Sequence, residues 1–136
     1  MECYLVKLDG ICQIIMNEKD SKEYINLLKK NENKIKQILK ELMLSIKTNE
    51  KAIGIMLIEK QDNNIKINPI VWVKTVDTLY YETACGSGSL AYAIYNYTQN
   101  GDKRVDLVQP SGYKISVNVD CDRKNIKSAK ISGVVI

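Results

Sequence analysis

The sequence predicts a strand-rich α+β domain with one buried helix and one or two surface helices. Three observations point there. Between Ile35 and Ile46 the apolar residues fall on one face at helical spacing. From Ala52 the spacing changes to that of strands, which recur to the last residue. One segment in that second part, Ser89 to Asn100, is apolar on more than one face, as a helix packed on several sides must be.

In chain order, "CYLVKL" (3–8) and "ICQIIM" (11–16) are apolar and β-branched and meet at Asp9-Gly10, so they read as two strands around a tight corner. "DSKEYINLLKKNENKIKQILKELMLSI" is helical. Ile35, Ile38, Leu39, Leu42, Met43 and Ile46 form its stripe, and Asn31 or Asn33 is placed to cap it. "AIGIMLIEK", "IKINPIVWVKTV" and "TLYYE" are strands, with "QDNN" as the first turn. Pro69 inside the second of these predicts an edge strand or a break. The helix from Ser89 ends at Gly101, which suits the left-handed residue after a helix. "RVDLVQ", "YKISVNVD" and "SAKISGVVI" close the chain as three strands, with "PSG" turning between the first two. The 136 residues suffice for one domain with its own core, and no repeat, low-complexity tract or linker divides them.

Composition narrows the function. A hydrophobic fraction of 45% and a charged fraction of 26% are those of a soluble globular protein. The net charge of +4 comes from scattered basic residues rather than a basic face, which argues against nucleic acid as a partner. Apolar runs are only a few residues long, far short of a membrane span, and no apolar leader follows Met1-Glu2-Cys3. The four cysteines, Cys3, Cys12, Cys85 and Cys121, are widely spaced, and the expectation is reduced thiols in a cytoplasm. The chain has no histidine. That removes Cys-His and Ser-His dyads from within it, and with no paired cysteine spacing no metal site is expected.

The segment "YYETACGSGSLAYAIYNYT" carries the available chemistry. A cysteine at the first turn of a helix meets unpaired backbone N–H groups and the positive end of the helix dipole, and both favour a thiolate. Gly86 and Gly88 allow close approach of backbone N–H groups to a carboxylate or phosphate. Glu82 stands three residues before Cys85, where it suits a substrate ammonium or a neighbouring polar group. The plain alternative is a thiol buried by close packing at a strand-to-helix corner. Gly-Ser-Gly is not a phosphate loop, because no Gly-Lys-Ser/Thr follows.

"ETACGSGS" resembles the second catalytic-cysteine motif of the diaminopimelate epimerase superfamily, amino-acid racemases that use no pyridoxal phosphate. "VKLDGICQIIM" resembles the strand-turn-strand that opens the C-terminal half of those proteins. "QPSGYKISVNV" and "AKISGVVI" resemble the strands after the catalytic helix. The resemblance covers nearly the whole chain, residues 1–136, as a single domain like the C-terminal half. It implies a curved, mostly antiparallel or mixed sheet wrapped around one central helix. The chain departs from diaminopimelate epimerases in having Asp9-Gly10-Ile11-Cys12 where they carry Gly-Asn-Pro-His. It also lacks the arginine of their Glu-Arg-Gly, which grips a distal carboxylate, so a dicarboxylate substrate is not implied. The Asp-Gly-Ile corner and the cysteine motif are more similar to the histidine-racemase branch.

The resemblance implies an isomerase acting on an amino acid without a cofactor, through a thiolate/thiol pair on opposite faces of the α-carbon. Cys85 would be one member. Gly86, Ser87 and Gly88 would hold the substrate carboxylate through their N–H groups, with a hydroxyl from Ser87 or Ser89. Asp9, Gly10 and Cys12 stand at the corner that faces substrate in the family. The second cysteine would come from an N-terminal half, as a separate chain or a missing segment, or from a second copy in a homodimer. A non-catalytic domain of the same fold that binds an amino acid or a partner chain is the competing class.

Overall fold

The computed structural model describes residues 3–122 and 125–133, with side chains over 3–120. The fold is α+β, as the sequence predicts. The strands are β1 (Cys3–Leu8), β2 (Ile11–Met16), β3 (Ala52–Gln61), β4 (Asn64–Val73), β5 (Thr78–Tyr81), β6 (Arg104–Val108), β7 (Lys114–Asp122) and β8 (Asn125–Gly133). The helices are α1 (Glu18–Lys30), α2 (Glu32–Leu44) and α3 (Gly86–Asn100). All eight strands join one mixed sheet in the order β1-β2-β3-β4-β6-β7-β8, with β5 also paired to β4.

Two pairs in this sheet are parallel, β2 with β3 and β4 with β6, and each needs a crossover. The first crossover is α1 and α2, and the second contains β5 and α3. Both step the same way across the sheet, but from strands that run in opposite directions. Crossovers of one hand must then lie on opposite faces. The core divides accordingly. On one face Ile15, Met56, Ile58, Ile67 and Val71 pack with Ala91, Tyr92 and Ala93 of α3. On the other, Ile14, Met16, Ile53, Ile55 and Leu57 pack with Ile25 of α1 and Ile35, Leu39 and Met43 of α2. α3 touches β1, β2 and β3 as well as β6, β7 and β8, so the sheet curls around it from both margins.

The helical segment 20–46 divides at Asn31, which ends α1 and begins α2. Its backbone N–H reaches Leu27 O while its side chain accepts from Lys34 N, so one residue stops one helix and caps the next. Asn17 caps α1 by accepting from Asp20 N. Ser21 then bonds α1 to the sheet, donating to Met16 O at 3.0 Å and accepting from Ile58 N at 2.9 Å. Ile58 lies one residue past the last β2–β3 pair, so the hydroxyl replaces a ladder partner that has run out.

Pro69 neither breaks β4 nor marks an outer edge. It pairs with Met56 inside the sheet. On its other side β4 has two successive neighbours, β6 at Ile65–Lys66 and β5 at Ile70–Val73. Pro69 lies in the fork between them, and its carbonyl accepts from Glu82 N at 2.9 Å. A residue's N–H and C=O point the same way in a strand, so the N–H that proline lacks would have faced this gap. The last strand spans 125–133, so residues 134–136 of the predicted "SAKISGVVI" lie outside the described ones, as does the side chain of Cys121. Among the described residues no helix is long and apolar enough to cross a membrane.

Beyond β4, Asp77 accepts from Trp72 Nε1 at 2.8 Å and meets Lys40 Nζ at 2.7 Å, tying α2 to the sheet. The hydrogen bond from Lys40, then that from Trp72, holds the Asp77 carboxyl below the ordinary range. A lowered folded value means that these bonds contribute fully above the unfolded carboxyl's range and fade as pH falls through the folded one. Trp72 is the only tryptophan, so its fluorescence reports the event. Its emission is expected to change with a midpoint below that of a free aspartate, and Asp77→Asn should abolish the transition. A midpoint at the free-aspartate value would show that the two bonds do not form.

Candidate active site

The fork in β4 positions Cys85. After β5 the Glu82 N–H adds one more rung to the β4 edge, and Thr83 and Ala84 carry the chain into α3. Cys85 is the N-cap residue of α3, with φ −143° and ψ 107°, and the helix begins at Gly86, three residues before the Ser89 that the sequence suggests. Glycine is a poor helix former, which is why the Gly-Ser-Gly reads as a turn. Here it forms the first turn of the helix because the cap holds it. Gly101 closes the other end with φ 76° and its N–H on Tyr97 O at 2.8 Å.

The cap is made by sulfur. Gly88 N donates to Cys85 Sγ at 3.3 Å, and Ser87 Oγ lies 3.6 Å from the same sulfur. Gly86 N and Ser87 N, also in the first turn, have no intrahelical acceptor, and no other partner among the described residues. Ser89 turns inward instead. Fully buried, it donates its hydroxyl to Cys85 O at 2.7 Å. Of the residues expected to hold a carboxylate, Gly86 and Ser87 keep their N–H groups open, whereas Gly88 N–H and the Ser89 hydroxyl are committed behind the cysteine.

Two residues that sequence reasoning missed hold this arrangement. Gln109, fully buried at the end of β6, accepts from Cys85 N at 2.9 Å and donates to Ser89 Oγ at 3.1 Å and Leu107 O at 3.2 Å. Its own N–H goes to Tyr113 O across the Pro-Ser-Gly turn, and Ser111 N reaches Thr83 O, so that turn braces the approach to the cysteine. Gln13, fully buried on β2, donates from Nε2 to Ser87 Oγ at 2.9 Å, while its Oε1 has no partner among the described residues. The visible signal for Gln13 was one amide in the otherwise apolar run "ICQIIM". Two glycines make room here, one for Gln13 and one for Met56. A Cβ on Gly54 would sit 2.0 Å from Gln13 Oε1, and one on Gly88 would sit 2.2 Å from Met56 Sδ.

The opening corner is less involved than expected. Asp9 and Gly10 are exposed, and Gly10, at φ 86°, donates to Glu50 Oε2 at 2.9 Å rather than toward Cys85. Cys12 pairs with Ile53 on the α1/α2 face, across the sheet from Cys85, because the period of two that sends Gln13 and Ile15 toward α3 sends Cys12 the other way. Burial pushes its thiol up, against the pull of Lys7. Glu82 is half-buried and, by the same alternation, lies on the α3 face with Tyr80 and Val71. A recess of about 390 Å³ lies at the far end of α3, lined by Tyr92, Tyr95, Lys60 and Asn100. It holds no thiol, and Tyr92, pushed up to about 12 chiefly by burial, stays a neutral phenol.

A half-barrel whose central helix is capped by a cysteine can be compared with known proteins directly. The family model for the histidine racemase CntK N-terminal domain matches residues 1–136. The chain belongs to that family. A histidine racemase of Fusobacterium nucleatum subsp. nucleatum is 34% identical over 111 residues, covering 80% of this chain and 38% of that protein. A histidine racemase of Staphylococcus aureus is 27% identical over 73 residues, covering 52% of this chain and 26% of that protein. The chain thus spans well under half the length of the relatives it matches.

The match corrects one expectation. The domain corresponds to the N-terminal half of the CntK type, not to the C-terminal half that "ETACGSGS" suggested. The resemblance drawn from the sequence implies two similar halves, each with its own catalytic cysteine. A strand-turn-strand and a cysteine motif therefore fit either half, and only the match over the whole domain separates them.

Two outcomes follow from this packing. Gly88→Ala is expected to destabilise the fold by about 1–3 kcal/mol through overpacking against Met56, with Met56→Ala restoring part of the loss, both read by urea unfolding. In the native protein iodoacetamide should modify Cys85 well before Cys12, as located by peptide mass spectrometry. Cys85 is itself buried, at 9% exposure against 0% for Cys12, so equal rates would show that this difference does not govern access of the reagent.

Proposed function

We propose that this chain is the N-terminal catalytic half of a cofactor-independent amino-acid racemase, with histidine as the first substrate to test. The observation that supports this most is the cap itself, a thiol at the start of α3 with the N–H groups of Gly86 and Ser87 open beside it. Those groups suit a substrate carboxylate, whose charge grows as the α-carbon loses its proton. As thiolate, Cys85 removes the α-proton. The S–H bond forms, the C–H bond breaks, and its electron pair passes onto the carbon and carboxylate. A second thiol on the opposite face gives its proton to the carbon and is left as thiolate, so configuration inverts and the two sulfurs exchange protonation states. The substrate ammonium is assigned to Glu82, supported by its position on the α3 face three residues before Cys85. Gly88 and Ser89 act behind the sulfur, Gly88 by bonding it and Ser89 by fixing the Cys85 backbone.

The second thiol is assigned to a C-terminal half, on the same polypeptide or another. Cys12 is unsuited because it faces the other side of the sheet. The test is α-proton exchange in D2O, followed by NMR, with L-histidine and a panel of other L-amino acids. The chain is assayed alone and with the C-terminal half of the Fusobacterium relative supplied. Exchange is expected only with the second half present, and Cys85→Ala should lower it more than a thousandfold. Exchange by the chain alone, rising with the square of its concentration, would point to a site made by two copies. No exchange under any condition would leave the non-catalytic reading, and full activity in Cys85→Ala would remove the site assignment.

A further inference from the structure

We infer that Gln13 is a positioning residue for Cys85, acting through the hydroxyl of Ser87. An amide NH₂ group only donates, so with Gln13 Nε2 at 2.9 Å the Ser87 oxygen serves as acceptor and its own hydrogen is free. The sulfur of Cys85, 3.6 Å away, is where that hydrogen can go. Gly88 N–H approaches the same sulfur at 3.3 Å, so a negative charge there receives two donors, one from backbone and one oriented by Gln13.

The energetics argue that stability does not explain this amide. Gln13 is fully buried on a strand face otherwise occupied by Ile11 and Ile15, and its Oε1 has no partner among the described residues. Burying an unpaired acceptor opposes folding, and an apolar side chain of similar length would avoid that cost. The fold also leaves out a side chain to seat the amide, since any Cβ on Gly54 would collide with Oε1. What the amide supplies in return is the single bond to Ser87, 74 residues away in sequence and next to the thiol. An unfavourable group retained beside a reactive one is the pattern of a site that gives up stability for function.

The inference rests on the racemase reading only for its catalytic consequence, and its test separates the two. Gln13→Met, Ser87→Ala and the double variant are compared in three measurements: the iodoacetamide rate at Cys85 at fixed neutral pH, the thermal midpoint, and α-proton exchange with the second half present. Gln13→Met should slow alkylation about tenfold, Ser87→Ala about as much, and the double variant no further, because Ser87→Ala removes the donor that Gln13 orients. The melting temperature of Gln13→Met should equal or exceed that of the native chain, whereas a merely structural glutamine would lower it. Exchange should lose kcat with KM unchanged. Additive effects, or unchanged alkylation in Gln13→Met, would overturn the proposal. Should Gln13→Met not fold, unchanged alkylation in Ser87→Ala overturns it alone. Slowed, non-additive alkylation without any exchange would uphold the positioning and remove the racemase reading.

Discussion

The bond from Cys85 N–H to the Gln109 side chain is the interaction on which the site depends. It occurs where β4 changes neighbours, in a gap that no strand fills. Polar backbone buried in such a gap needs a partner, and one amide supplies three bonds there. Those bonds set the direction of the first turn of α3, and that turn aims the sulfur. Removing the amide would leave the buried Cys85 N–H without its acceptor, at about 1–3 kcal/mol, and the Ser89 hydroxyl with only its bond to Cys85 O. The position of the thiol therefore depends on β6, although β6 follows it in sequence.

The sheet topology gives the site its surroundings. Two crossovers stepping the same way from oppositely directed strands place α3 alone on one face and the α1/α2 pair on the other. α3 is free to be apolar on several sides because strands from both halves of the sheet reach it. Its N-terminal turn lies at the open end of this wrapping, where Gly86, Thr83 and Ala84 are exposed.

Much of this was legible in the sequence, because periodicity and turn residues carry it. β1, β2, β3, the α2 stripe and Gly101 follow directly from spacing and local conformation. What was not legible depended on tertiary partners. The early start of α3 runs against the propensity of two glycines and needs a sulfur cap and a distant glutamine. Pro69 suggests an edge until the fork supplies a place without a donor. Gln13 and Gln109 look unremarkable singly, since an amide says nothing about which backbone it will meet. The choice between the halves of the family was hidden for another reason, the likeness of the halves to each other.

The alternation that turned Cys12 away from the site also separates Cys85 from Cys3 and Cys12. Cys3 pairs with Met16 and Cys12 with Ile53, both on the α1/α2 face, so the full thickness of the sheet lies between either sulfur and Cys85. A disulfide requires Cβ atoms within about 4.5 Å, and neither residue can meet that without a strand turning over. An oxidised Cys85 would have to be resolved by a thiol from outside this pair, such as a small-molecule reductant or a facing domain. The same two-residue period that builds the core thus keeps the Cys85 sulfur out of reach of these two cysteines.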